Sequence, residues 1–193
     1  MNNVTPQDLL SHADYEQQRL PIRQRIIALK KRRRVAIGDL VTVIFENRDT
    51  IIYQIQEMLR TERIFDNEKV QDEIDVYNAL LPEAEELSAT LFIEITDSER
   101  IQELLDSFQE IDRSDTLSIR VGDQAIYAEF EAGHSKEDKI SAVHFIRFQT
   151  NSTFRQLLGN SDIPATLSIT HPHYQAEVVV SQEMRDEWLK DLK

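Results

Sequence analysis

The sequence contains no cysteine, which removes disulfides, thiolate nucleophiles, iron–sulfur ligation and cysteine zinc sites. It has four glycines, Gly38, Gly122, Gly133 and Gly159, too scattered for a phosphate-cradling loop or a dinucleotide fingerprint. Neither G-x-S-x-G nor H-E-x-x-H occurs, so the usual enzyme signatures are missing. No apolar run approaches bilayer length; LVTVIF (40–45) and VVV (178–180) are strand-sized, and no membrane insertion is expected. MNNVTPQDLL lacks a basic region followed by an apolar one. A cytoplasmic protein is expected, in which the N-x-[ST] matches at Asn3 and Asn151 are chance.

What is present fits one globular domain. The chain has 193 residues, 40% apolar and 30% charged, enough for a sizeable core. Its net charge of −13 is uneven. Residues 1–34 hold eight Lys/Arg against three acids, a balance of +5, which leaves −18 on the remainder. The single domain 1–193 therefore divides into a basic helical segment (1–34) and an acidic α+β body (35–193). KKRRR (30–34) reads as a helix end docking on that body and on its own negative helix C-terminus. A nucleic-acid partner is not expected, because an acidic surface repels phosphate.

Thr5-Pro6-Gln7-Asp8 opens a helical stretch, interrupted or restarted near Pro21. Val35, Ile37, Val41, Val43 and Phe45 then indicate a strand, or a strand pair broken at Gly38-Asp39. Asp49-Thr50 opens a second helix. Asp66-Asn67 ends it and opens a third, with Val70, Ile74, Tyr77 and Leu81 on one face. Ala89, Leu91, Ile93 and Ile95 alternate with Thr90, Phe92, Glu94 and Thr96 as a strand, followed by a helix over 97–111. TLSIRV and QAIYAEFE form a hairpin about Gly122-Asp123. ISAVHFIRFQT, ATLSIT and YQAEVVV add strands, with His171-Pro172-His173 as a turn, and Ser181 caps a last helix. The fold expected is α+β, N-terminal helices packed on a largely antiparallel sheet with a C-terminal helix.

On the second helix Ile51, Ile55 and Met58 form an apolar stripe, and at about 100° per residue Glu62 falls inside it. Gln54 and Glu57 border the stripe, and Glu73 borders the face of Tyr77. A buried carboxylate needs a partner, so Glu62 is expected to pair with an arginine and lock the helices together. The functional alternative has Glu57, Glu62 and Glu73 converging as oxygen ligands or as an acid/base pair. No cofactor is predicted. Metal binding is kept as an alternative through His144, His171 and His173, although histidines in a turn are expected to be solvated.

Three blocks carry a resemblance: Phe45-Glu46-Asn47; Gln54, Glu57, Met58, Arg60, Glu62 and Arg63; and Tyr77, Asn78, Leu80 and Pro82. On these the chain resembles the family of domain of unknown function 3501 over nearly its whole length. The resemblance implies a bacterial protein without an assigned activity, an accessory to redox or oxidative-stress proteins. The function expected is accessory or binding, engaging a protein partner, with a metal- or small-ligand-binding enzyme as the alternative and a homo-oligomer as a third reading. The candidate polar cluster is Glu46, Asn47, Gln54, Glu57, Arg60, Glu62, Arg63, Glu73, Tyr77 and Asn78.

Overall fold

A computed structural model describes residues 3–113, 115–131 and 140–192; Gly133 and His134 lie outside them. After a 3-10 turn at Pro6–Asp8 come α1 (His12–Arg33), β1 (Arg34–Ile37), β2 (Val41–Phe45), α2 (Arg48–Thr61) and α3 (Asn67–Asn78). Then follow β3 (Glu86–Ile93), α4 (Ile101–Asp106), β4 (Leu117–Val121), β5 (Gln124–Phe130) and β6 (Val143–Gln149). The chain closes with α5 (Ser152–Leu158), β7 (Ala165–His171), β8 (Tyr174–Val179) and α6 (Gln182–Asp191).

The strands form one antiparallel sheet in the order β1-β2-β3-β6-β5-β4-β7-β8. It curls nearly into a barrel, and a side chain spans the seam between its two edge strands. The Tyr174 hydroxyl donates to the Ile37 carbonyl (2.6 Å) and accepts from the Leu40 N–H (3.1 Å). The inner face carries the main core, including Val43, Phe45, Leu91, Ile119, Ile146 and Leu167, with Phe108, Phe154 and Trp188 filling in from outside the sheet. A second core, with Ile51, Ile55, Leu59, Ile74, Leu80 and Leu81, lies where α2 and α3 cover the outer face.

That covering completes the reading of β3. Alternation does not tell whether its second face is dry, and Ser88 and Thr90 are buried along with Ala89 and Leu91, because the helices sit on them. Three expectations are corrected. Helix α1 runs unbroken through Pro21, whose exposed position leaves the freed backbone carbonyl of exposed Gln17 to water; the break falls instead before Ser11, which caps α1 through Asp14 N–H. The helix expected over 97–111 is only Ile101–Asp106, because Phe108 and Ile111 turn into the core and Glu110 takes φ 69°. Helix α5, capped by Asn151, is additional. The hairpin at Gly122 stands as read, and of the two readings for 35–45 the strand pair, turning at Gly38, is the one found; both glycines take positive φ (62° and 68°). No helix among the described residues is long and apolar enough to cross a membrane.

Candidate functional site

Two amide side chains hold the N-terminal segment on the α2–α3 layer. Asn78 accepts from Val4 N–H (2.8 Å) and donates to Val4 O (2.9 Å). Gln56 accepts from Leu10 N–H (2.7 Å) and donates back to Leu10 O (3.4 Å). Each replaces a strand partner for one backbone unit. Asp8 pairs with Arg48 at 2.6 Å, and this contact holds its carboxyl down at about 2.

Further along, α1 is fixed to α2 by Glu57. Arg19 donates Nε and Nη2 to its two oxygens, each at 2.7 Å, and Tyr15 Oη donates to the first, also at 2.7 Å. Arg19 above all, and then Tyr15, hold the Glu57 carboxyl below its ordinary value against its partial burial. Burial, and then the same carboxylate, push the Tyr15 hydroxyl well above the phenol range. Arg60 pairs with Glu16 at 2.7 Å one turn away. The helix lock expected at Glu62 is made instead by two pairs, Glu57 with Arg19 and Arg60 with Glu16. Glu62 itself is the exposed C-cap residue of α2, because the helix ends before the apolar stripe reaches it.

The remaining candidates gather on the other side of α2. Glu46 is 3% exposed and has no cation on its carboxylate among the described residues. One oxygen accepts from Thr50 Oγ1 (2.5 Å) and Gln54 Nε2 (3.1 Å), the other from Thr90 Oγ1 (2.9 Å). Asn47 caps α2 through Thr50 N–H (3.0 Å). Burial first, and then the carboxylates of Glu73, Glu62 and Glu46, raise the Tyr77 hydroxyl above its ordinary value. So Glu46, Gln54, Glu62, Glu73 and Tyr77 share one neighbourhood, whereas Glu57 faces α1. The alternative, a meeting of Glu57 with Glu62 and Glu73 as ligands, does not occur among the described residues.

His171 and His173 lie together, with ring centroids 5.9 Å apart, whereas His144 stands on β6, separated from β7 by β5 and β4. His171 is buried, not solvated: its Nε2 donates to Gln109 O (2.8 Å), and its Nδ1 accepts from His173 N–H (3.3 Å). His144, buried in β6, uses its Nε2 on Ser141 O (2.8 Å). No cluster of three or more metal-ligating side chains occurs among the described residues.

A second ion-pair knot was only half legible. The basic end of α1 docks intramolecularly, as its charge suggested: fully buried Arg33 binds Asp191 (2.7 Å) and Glu187 (3.3 Å), and Arg32 binds Glu187 (3.3 Å). The signal missed was the Glu187, Asp191 spacing of four, which puts both acids on one face of α6. Burial raises the Asp191 carboxyl despite Arg33. At Glu187 burial is outweighed by Lys190 and the two arginines, which hold the group down. Arg185, equally unforeseen, is buried and caps the end of α5 through the carbonyls of Leu158 and Asn160 (2.6 and 2.7 Å).

What these pairs leave open lies around Phe65, which is 63% exposed and meets His12 edge-on at 5.1 Å. On one side is a hollow of about 370 Å³ lined by Leu9, Tyr15, Leu59, Ile64 and Val70. On the other is a polar hollow of about 390 Å³ with Glu16, Arg60 and Arg63. The Arg63 guanidinium is exposed and makes no hydrogen bond or ion pair among the described residues.

The comparisons agree with this architecture. The family model described as "Protein of unknown function (DUF3501)" matches residues 3–192. A crystal structure of a novel protein of unknown function from Burkholderia pseudomallei is similar, with 33% identity, a TM-score of 0.91 and 100% of each chain covered. No curated protein matches the chain.

Proposed function

The chain belongs to the DUF3501 family of proteins of unknown function, and from that premise we propose that it is an accessory protein whose helical layer binds a segment of a partner protein. The observation that supports this is the surround of Phe65. An aromatic side chain stands 63% exposed between an apolar hollow and a polar one. Aromatic anchors in such surroundings dominate protein interfaces. Both hollows are framed by α1 and α2, which Glu57 and Arg60 lock together, so the surface is pre-organised and little ordering is lost on binding. Arg63 adds a charge that nothing among the described residues uses.

The resemblance in the Phe45–Asn47, Gln54–Arg63 and Tyr77–Pro82 blocks supplies the partner class: redox or oxidative-stress proteins, met in the cytoplasm. The test is affinity purification of the full chain under native conditions, in parallel with Phe65→Ala. A stoichiometric partner retained by the parent and lost by the variant is expected. Recovery of no partner, or of one indifferent to Phe65, counts against the proposal.

A further inference from the structure

A hollow of about 280 Å³ opens between the N-terminal segment, α1 and α2, and Phe65 is not among the residues that line it. Its depth is apolar: Tyr15 and Ile26 are buried, and Ile22 and Ile52 are half-buried. Helical phase explains the lining. Tyr15, Ile22 and Ile26 recur at spacings of seven and four on one side of α1, and Asp49 precedes Ile52 by three on α2.

Three ion pairs tie the surrounding elements together: Asp8 with Arg48, Glu57 with Arg19, and Glu16 with Arg60. Two charges that border the hollow stand outside this pattern. Arg25 comes from α1 and Asp49 from α2, and neither makes a hydrogen bond or ion pair among the described residues. Asp8, the other acid on the rim, is taken by Arg48. Asp49 also lies in the first turn of α2, where its charge favours the helix start without using its oxygens as acceptors.

A free cation, a free carboxylate and an apolar floor together select one kind of ligand. An anion would meet Asp49, a cation would meet Arg25, and an uncharged molecule would leave both without a partner. A small zwitterion with an aliphatic body satisfies all three. The volume agrees, because drug-sized ligands fill hollows of about 300–1,000 Å³. We propose that this hollow binds an aliphatic amino acid, its carboxylate on Arg25, its ammonium on Asp49 and its side chain against Ile22, Ile26 and Ile52. A guanidinium presents paired N–H donors to a carboxylate. The Arg19–Glu57 and Arg60–Glu16 contacts hold α1 on α2, so the walls are set before the ligand arrives.

Isothermal titration calorimetry of the full chain with L-leucine tests it. One molecule per chain should bind, with a dissociation constant of about 0.1–1 mM. Arg25→Gln and Asp49→Asn should each weaken binding at least about tenfold. Isocaproate, which lacks the ammonium, and isoamylamine, which lacks the carboxylate, should bind at least about tenfold more weakly than L-leucine. Urea midpoints check that each variant is folded, and the two half-molecules need no variant at all. The absence of saturable heat with L-leucine up to about 10 mM overturns the proposal. So does binding that survives either substitution, or a half-molecule that binds as tightly as L-leucine. None of these outcomes depends on Phe65, so the partner-binding proposal stands or falls separately.

Discussion

Arg19 grips Glu57 through two parallel contacts of 2.7 Å each, with the Tyr15 hydroxyl on one of the same oxygens. Removing the charge leaves the guanidinium with a weaker acceptor. Glu57→Gln should lower stability by about 1–2 kcal/mol, read from urea midpoints. Because its partners hold Glu57 below the ordinary value of 4.5, its contribution is complete above that pH and is lost as pH falls through the depressed folded value. The variant should therefore lose less stability than the parent on acidification below about pH 4.5.

Arg33 is fully buried between Asp191 and Glu187. Arg33→Met strands the Asp191 carboxylate in the interior, at a cost of about 3–5 kcal/mol, while Glu187 keeps Arg32 and Lys190. Asp191→Asn, which keeps an acceptor for the guanidinium, should cost less. High salt should leave the effect of Arg33→Met almost unchanged, because the pair is shielded from solvent ions. Guanidinium chloride cannot be the denaturant for this comparison, and urea at two NaCl concentrations serves instead.

Gly38 and Tyr174 close the sheet together. Gly38 takes φ 68°, and a Cβ there would overlap the Tyr174 hydroxyl. Gly38→Ala therefore meets both backbone strain and a displaced hydroxyl, and should destabilise by about 2–4 kcal/mol. Tyr174→Phe loses the bonds to Ile37 and Leu40 and should cost about 1–2 kcal/mol. In the double variant the overlap is relieved, so the sum of the two single losses should exceed the measured loss.

Arg63 takes φ 54° just beyond α2, where Ile64 N–H reaches back to Leu59 O (2.9 Å). Glycine is the usual residue at such a helix end. Arg63→Gly should raise stability by about 0.5–1 kcal/mol while weakening the partner binding proposed at Phe65. A fall in the thermal midpoint would mean that the side chain stabilises the fold itself.

Local chemistry made much of this molecule readable. Gly38 and Gly122 announced their hairpins because only glycine takes positive φ at no steric cost. Asp66 and Ser181 announced helix starts because short polar side chains cap free N–H groups. Helix α5 escaped because seven residues are too few for a helical period to register. The helix after β3 was overextended because periodicity does not reveal where Phe108 and Ile111 must turn inward.

The sequence by itself determined the α+β class, most element positions, the docking of a basic helix end on an acidic body, and membership of a family. Only the tertiary structure decided which carboxylate locks α1 to α2. The sequence put Glu62 inside the apolar stripe and Glu57 at its edge; the end of α2 at Thr61 leaves Glu62 in solvent, while Glu57 meets Arg19. Likewise, alternation in β3 did not say that Ser88 and Thr90 are buried, which follows from α2 and α3 lying across them. Burial depends on what packs against an element, and strand alternation records only which side chains share a face.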